Sequence, residues 1–180
     1  MSTSACISIL DHSTRTLTSI DLSCDGYYSH AGNILLDHYA NTKRVNDLMK
    51  LGYLFALNPF IPRHLPSLKV YWARRDSDRF HKLFGARLNK TCIPLSYTYN
   101  SGPINIEAEV RNFPINWTND DGIELRDIKP HGRFHYIWEY RQWYFPFYNK
   151  NNVFIEWRIL TKNMCKPIVT NDCIRNKPTV

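Results

Sequence analysis

The chain is most strongly patterned at Phe134-His135-Tyr136-Ile137-Trp138-Glu139-Tyr140, where aromatic residues occupy every second position. Successive side chains of a β-strand point to opposite faces, so this alternation predicts a strand with one aromatic face. Residues 134–157 hold 11 of the 25 aromatic residues, and Asn149-Lys150-Asn151-Asn152 separates this run from Val153–Leu160. We therefore predict two long strands that form a hairpin in the last third of the chain.

The first residues of the chain predict another hairpin. Residues 5–10 and 16–23 are apolar or β-favouring, and they flank the polar run Asp11-His12-Ser13-Thr14-Arg15. Further strands are predicted over Ile93–Tyr99 and over Ile104–Val110, where apolar and polar residues alternate.

Two short helices are predicted between these regions. The first begins near Ser29, which can cap it, and the second begins at Asn41-Thr42. Gly52 is placed to end the second helix in a left-handed conformation. The residues at helical spacing are Ala31, Ile34, Leu35 and His38 in the first helix and Val45, Leu48 and Met49 in the second.

The middle of the chain is less regular. Three prolines between Pro59 and Pro66 exclude a helix and predict an irregular connection, which could be an exposed binding loop. A strand over Leu68–Trp72 and a helical turn that begins at Asp76 or Ser77 follow. Together these features predict a single α+β domain over residues 1–180, with an extended tail over 165–180. The two helices pack on one side of a mostly antiparallel sheet, which the aromatic C-terminal strands complete.

Length and composition set the class of protein. The chain has 180 residues, of which 43% are hydrophobic and 22% charged, so it can bury a core and is not disordered, collagen-like or a coiled coil. No run approaches the roughly 20 apolar residues that cross a bilayer, and the start lacks a basic region followed by an apolar run. We expect a soluble protein that is not exported and has no membrane partner.

The positive charge is concentrated towards the C-terminus. The formal net charge is +7, and the segment from Lys129 onward holds 9 basic and 3 acidic residues. Such a segment attracts anionic partners, which include nucleic acid and acidic proteins, although a basic surface also serves solubility alone.

Cysteine and histidine patterns predict no cofactor or metal. The five cysteines contain no Cys-x-x-Cys pair, and we expect reduced thiols. His131 and His135 have a spacing that suits zinc on a helix, but Pro130 and Gly132 oppose a helix there. No glycine-rich phosphate-binding motif is present.

Cys24, Asp25 and His30 form the most enzyme-like cluster, because a thiolate nucleophile needs a nearby base and an orienting group. Closeness in sequence does not establish that geometry. The favoured alternative is a turn between strand and helix, in which Asp25 binds local amides and Gly26 supplies a positive φ angle.

The C-terminal region offers a candidate binding surface. Aromatic rings can stack on nucleic-acid bases while cations follow the phosphate backbone. The alternative, which we favour, is that the alternating rings form the buried face of a sheet. The candidate binding residues are Arg133, Tyr136, Trp138, Arg141, Trp143, Lys150 and Arg158.

The N-terminal third resembles a family of small uncharacterised proteins common in bacteriophage and prophage genomes. The resemblance is strongest at Asp25-Gly26-Tyr27, at Gly32-Asn33-Ile34-Leu35-Leu36-Asp37-His38-Tyr39 and at Lys43-Arg44-Val45, and it covers roughly residues 1–57. Where the family usually has Cys-His before a variable residue and Asp-Gly-Tyr, this chain has Leu22-Ser23, and its Cys24 occupies the variable position.

The resemblance implies a phage accessory protein in the host cytoplasm but brings no assigned activity. Three functions follow as hypotheses. The first is a non-enzymatic protein that binds and inhibits or redirects a host protein, such as a defence or gene-expression component. The second is a nucleic-acid-binding module that uses the basic, aromatic C-terminal half. The third is a small hydrolase or lyase that depends on Cys24 or a histidine.

Overall fold

The computed structural model describes residues 3–61, 92–94, 109–112 and 124–166. In these ranges it contains eight strands and two α-helices. A π-helical turn at Tyr28–Gly32 precedes the first helix, and a 3₁₀ turn lies at Leu125–Asp127. The helices are α1 (Asn33–His38) and α2 (Thr42–Met49). The strands are β1 (Ala5–Asp11), β2 (Thr16–Leu22), β3 (Leu54–Ala56), β4 (Ile93–Pro94), β5 (Glu109–Asn112), β6 (His135–Glu139), β7 (Gln142–Tyr148) and β8 (Phe154–Ile159).

All eight strands belong to one sheet in the order β4-β3-β2-β1-β6-β7-β8, and β5 also pairs with β2. Two neighbouring pairs, β1 with β6 and β2 with β3, are parallel. The remaining pairs are antiparallel. The predicted α+β class with a mostly antiparallel sheet is therefore confirmed.

The N-terminal hairpin forms as predicted. β1 and β2 pair along their whole length, from Ala5 opposite Leu22 to Asp11 opposite Thr16. The Asp11 carboxylate accepts hydrogen bonds from the backbone amides of Ser13 (2.8 Å) and Thr14 (3.3 Å), which closes the polar loop. β1 lies in the interior of the sheet, between β2 and β6.

The predicted single strand at the start of the aromatic run is wrong. β6 ends at Glu139, which pairs with Gln142 of β7, so Tyr140 and Arg141 form a two-residue hairpin turn. Their φ angles are +44° and +65°, as a type I′ turn requires. Such turns favour asparagine and glycine, so this dipeptide gave no turn signal. The predicted hairpin across Asn149–Asn152 is present between β7 and β8.

β6 is buried on both faces. Tyr136 and Trp138 face the helices and share a core with Leu35, Val45 and Leu48. On the opposite face, Ile137 packs in a smaller cluster with Leu10, Leu17 and Ile128. The helices therefore pack on one side of the sheet, as predicted, and the segment that precedes β6 covers part of the other side.

The second helix matches its prediction and the first differs at its start. The Asn41 side chain caps α2 by accepting a hydrogen bond from the Arg44 amide (2.9 Å), and Gly52 is left-handed (φ +67°). The predicted cap at Ser29 is wrong, because the chain already turns as a π-helix from Tyr28 with no side-chain cap. The Asn33 amide group instead donates to the Ser29 carbonyl (2.9 Å).

Several predictions fall outside the described residues. They are the strand over Leu68–Trp72, the turn at Asp76 or Ser77, most of the Pro59–Pro66 connection and the part of the 165–180 tail beyond residue 166. The predicted start of that tail is wrong, because Cys165 is fully buried in the core and its carbonyl accepts a hydrogen bond from the Asn33 amide group (3.0 Å). Of the predicted strands at Ile93–Tyr99 and Ile104–Val110, only Ile93–Pro94 and Glu109–Val110 are described, and both pieces lie in strands. Among the described helices, none has the length and apolar character needed to cross a membrane.

Candidate functional site

The candidate catalytic residues lie in the connection between β2 and α1, and the structure does not bring them together. Cys24 is a free thiol, Asp25 is exposed, and the His30 ring lies 5.9 Å from the ring of Tyr27. Within the described part of the chain, no hydrogen bond links Cys24 to Asp25 or His30. Asp25 and His30 are therefore not placed to accept the proton of the Cys24 thiol.

The connection is instead a turn with a tight contact. The predicted positive φ at Gly26 is wrong, because Asp25 adopts the left-handed conformation (φ +57°). Gly26 is needed for another reason: a Cβ there would lie 2.5 Å from the Ala5 Cβ and 2.8 Å from the Ala5 nitrogen. The Gly26 carbonyl also accepts a hydrogen bond from the buried Tyr136 hydroxyl (2.8 Å).

The three aromatic members of the candidate binding surface lie in the core. Tyr136, Trp138 and Trp143 are between 0% and 3% exposed, so their rings are not accessible for stacking on a ligand. The Trp143 indole donates a hydrogen bond to the Tyr39 carbonyl (2.9 Å), which holds β7 against α1. Assignment of these rings to a binding surface is therefore wrong, and the buried-face alternative describes them.

The four basic members are exposed but dispersed. Arg133 precedes β6 and Lys150 lies in the β7–β8 turn, at one end of the strands, whereas Arg141 lies in the turn at the opposite end. The Arg158 guanidinium lies 3.4 Å from the Phe147 ring centroid and forms an ion pair with Glu156 (2.7 Å). The structure therefore does not gather these cations into one patch.

β8 carries an apolar surface that the sequence analysis did not single out. It is the outermost described strand on its side of the sheet. Val153 is 55% exposed, Ile155 52% and Ile159 48%. We name these three residues the β8 surface. The β-branched residues of the predicted strand Val153–Leu160 indicated β8 itself. They did not indicate that β8 lies at the edge of the sheet.

A second feature is a polar cleft where β2 ends and where β1 and β6 begin. It consists of two adjoining concavities of about 690 and 370 Å³, and Asp21 and His131 line both. Arg133 lines the larger concavity, and Lys129 lines the smaller one. The hydroxyl-bearing residues that line the cleft are Thr3, Ser4, Ser19, Ser23 and Tyr53.

A chain of hydrogen bonds runs beneath this cleft. The His131 amide donates to His135 Nδ1 (3.0 Å), His135 Nε2 lies 2.7 Å from Ser8 Oγ, and Ser8 Oγ lies 2.7 Å from Ser19 Oγ. Because Nδ1 accepts a hydrogen bond, a neutral His135 carries its proton on Nε2 and donates it to Ser8. His135 therefore does not act as a base towards Ser8, and the pair is not a catalytic dyad.

Comparison of the chain with protein-family models, with curated proteins and with solved structures finds no match. The resemblance to a phage family stays a prediction. The β8 surface and the polar cleft are the features on which a function can be argued.

One further polar pair lies at the opposite end of β6 from the cleft. His12 Nε2 is 2.8 Å from a carboxylate oxygen of Glu139, and the His12 ring stacks on Tyr140 at 4.7 Å. Glu139 is only 6% exposed, and burial raises the pKa of its carboxyl group, an effect that the hydrogen bond from His12 opposes. Sequence spacing did not indicate this pair, because its members are 127 residues apart.

Proposed function

We propose that this chain is a non-enzymatic phage accessory protein that binds a host protein and inhibits or redirects it through the β8 surface. The observation that carries the proposal is the half-exposure of Ile155 and Ile159 on the outermost described strand and of Val153 directly before it. An edge strand offers backbone hydrogen-bonding groups to an incoming strand, and exposed aliphatic side chains add apolar contact area. A partner that adds a strand beside β8 would bury both the backbone groups of the edge and the exposed aliphatic side chains.

The charge around β8 suggests the chemistry of that partner. Lys150 is exposed in the turn that leads into the strand. Arg158 lies on the opposite face of β8 from Ile155 and Ile159, and its charge is paired with Glu156. An apolar partner strand with an acidic residue near Lys150 would complement this surface.

Nucleic-acid binding receives less support from the described residues. Burial of Tyr136, Trp138 and Trp143 leaves the proposed stacking surface without three of its rings. The candidate cations lie at both ends of the strands, so a single phosphate backbone would not easily follow them. Nuclease treatment distinguishes this alternative in the experiment below.

The test is a pull-down from host lysate with the tagged full-length chain, its Ile155→Lys variant and a Phe60→Lys control. Ile155 and Phe60 are each 52% exposed, so both substitutions place a charge at a similarly accessible apolar position. We expect the parent and Phe60→Lys to retain a stoichiometric, nuclease-resistant protein. We expect Ile155→Lys to lose at least about ten-fold in affinity, as substitutions at central interface positions commonly do.

Three outcomes would contradict the proposal. Equal retention by Ile155→Lys would exclude the β8 surface as the binding site. Loss of the captured material on nuclease treatment would favour nucleic-acid binding. Absence of any partner for the parent chain would remove the proposed function. Circular dichroism of each variant establishes that the fold is retained.

A further inference from the structure

The polar cleft brings together side chains that have no role in the proposed protein-binding surface. Asp21, near the end of β2, and His131, just before β6, lie on the wall that the two concavities share. Both side chains lack an ion pair or hydrogen bond within the described part of the chain. Their polar atoms are therefore available to a ligand.

The charges that line the cleft restrict the ligand. Lys129 and Arg133 lie on either side of Asp21 and His131, so two cations flank one carboxylate. The Asp21 carboxylate would repel a simple anion, whereas a neutral molecule would leave both cations unpaired. A ligand with one anionic group and a separate donor satisfies both signs of charge.

The hydrogen-bond chain beneath the cleft adds a directed donor. His135 donates to Ser8, so the Ser8 proton is free to point to Ser19 Oγ, which at 2.7 Å is a better acceptor than the Cys6 sulfur at 3.6 Å. The Ser19 proton then points away from Ser8. Because Ser19 lines the smaller concavity, its hydroxyl is then free to donate to a ligand in the cleft.

We propose that the cleft binds a small phosphorylated molecule that also carries hydroxyl or amino groups, such as a nucleoside monophosphate or a sugar phosphate. The phosphate would bind Arg133 in the larger concavity, and Asp21 would accept a hydrogen bond from the hydroxyl or amino group. The two concavities, at about 690 and 370 Å³, have the size of typical small-molecule sites. This proposal is independent of the β8 surface.

The test is isothermal titration calorimetry of the full-length chain with adenosine 5′-monophosphate and ribose 5-phosphate. Adenosine, which lacks the anion, and inorganic phosphate, which lacks the sugar, serve as the ligand controls. We expect at least one phosphorylated probe to bind, and each control to bind at least about ten-fold more weakly. Arg133→Ala should weaken binding of that probe by about ten-fold or more, because a hydrogen bond to a charged group is lost.

Matched variants separate the cleft from general charge effects. Lys150→Ala removes an exposed cation outside the cleft and should leave the affinity unchanged. Asp21→Asn should weaken the phosphorylated probe without weakening inorganic phosphate. Failure of both probes to bind would overturn the proposal, as would equal losses in Arg133→Ala and Lys150→Ala or an affinity for adenosine that matches that of the nucleotide.

Discussion

Gly26 shows how a single residue positions the connection between the sheet and α1. Its α-carbon lies against Ala5, so that even a methyl group would meet backbone atoms of β1. Gly132 differs, because a Cβ there would have no neighbour within 4 Å, although its φ of +81° is unfavourable for other residues. Gly26 is therefore required by close packing, whereas Gly132 is required by its backbone conformation.

We predict that Gly26→Ala lowers the free energy of unfolding by about 1–3 kcal/mol, the usual cost of overpacking. Gly132→Ala should cost about 1–2 kcal/mol through its left-handed backbone alone, with no movement of β1. Urea unfolding measures both energies, and amide exchange of β1 shows which variant disturbs the strand. Unchanged exchange of β1 in Gly26→Ala would contradict the packing explanation.

The buried carboxyl group of Glu139 makes stability depend on pH. Its pKa is raised above the ordinary value of 4.5 mainly because burial disfavours the charged form. The folded state therefore binds this proton more tightly than the unfolded state does. The resulting contribution to stability is complete below pH 4.5 and is lost as the pH rises through the folded pKa.

We predict that the free energy of unfolding of Glu139→Gln increases relative to that of the parent as the pH rises from about 4.5 to 8. The glutamine oxygen can still accept the hydrogen bond from His12, but it carries no buried charge. Urea unfolding of both chains across this pH range gives the difference in free energy. Glu156→Gln, at an exposed position, is the control, and a difference between Glu139→Gln and the parent that does not change with pH would refute the prediction.

At the scale of single residues, contacts between residues close in sequence were predictable, and contacts between distant residues were not. The cap at Asn41 and the left-handed Gly52 were predictable because their partners are local. The contact between Ser8 and His135 joins residues 127 positions apart, and a single sequence holds no signal for it. The same limit hid the His12–Glu139 pair and the cleft.

At the scale of elements, the β6–β7 turn is the clearest departure from the sequence pattern. Alternation of aromatic residues continued through Tyr140, so the pattern predicted one strand where the chain makes two. Hydrophobic periodicity reports which residues face the core, but it does not report where a strand reverses unless turn residues interrupt it. The N-terminal hairpin was predictable because its loop is polar.

We predict that the Arg141 position tolerates glycine better than a β-branched residue. Its φ of +65° suits glycine, whereas valine would be strained by about 1–2 kcal/mol. Arg141→Gly should therefore be at least as stable as the parent, and Arg141→Val should be less stable, as measured by thermal unfolding. Gln142→Val, in the adjacent extended position, is the control and should not show this loss.

At the scale of the whole molecule, the β8 surface and the cleft occupy different parts of one sheet. His135 of the cleft contacts Trp157 of β8, with 5.2 Å between the ring centroids. Asp21 on β2 and Ile155 on β8 lie further apart, because β1, β6 and β7 separate their strands, which corresponds to roughly 19 Å at the usual spacing between strands. Substitutions this far apart without shared partners usually act independently. The fold therefore permits two separate binding functions.

We predict that Ile155→Lys leaves binding of a phosphorylated probe unchanged, and that Asp21→Asn leaves capture of the protein partner unchanged. The double variant should lose both functions by the same factors as the single variants. Calorimetry and pull-down measure the two functions in turn. A loss in the double variant that differs from the product of the single losses would show coupling between the two sites.

The overall architecture was partly predictable. The α+β class followed from patterns within segments, whereas the parallel pairing of β1 with β6 depends on which distant segments meet. Local periodicity carries no information about that choice. The position of β8 at the edge, and with it the exposure of the β8 surface, follows from the same unpredicted order of strands.

The pairing of β1 with β6 has a consequence for synthesis on the ribosome. Ser8 and His135 are 127 residues apart, which at about 5–20 residues per second corresponds to a delay of roughly 6–25 s between their additions to the chain. During that interval Ile7, which is fully buried in the finished sheet beside Tyr136 of β6, has no β6 to pair with. The nascent N-terminal hairpin is therefore exposed to chaperones while translation continues.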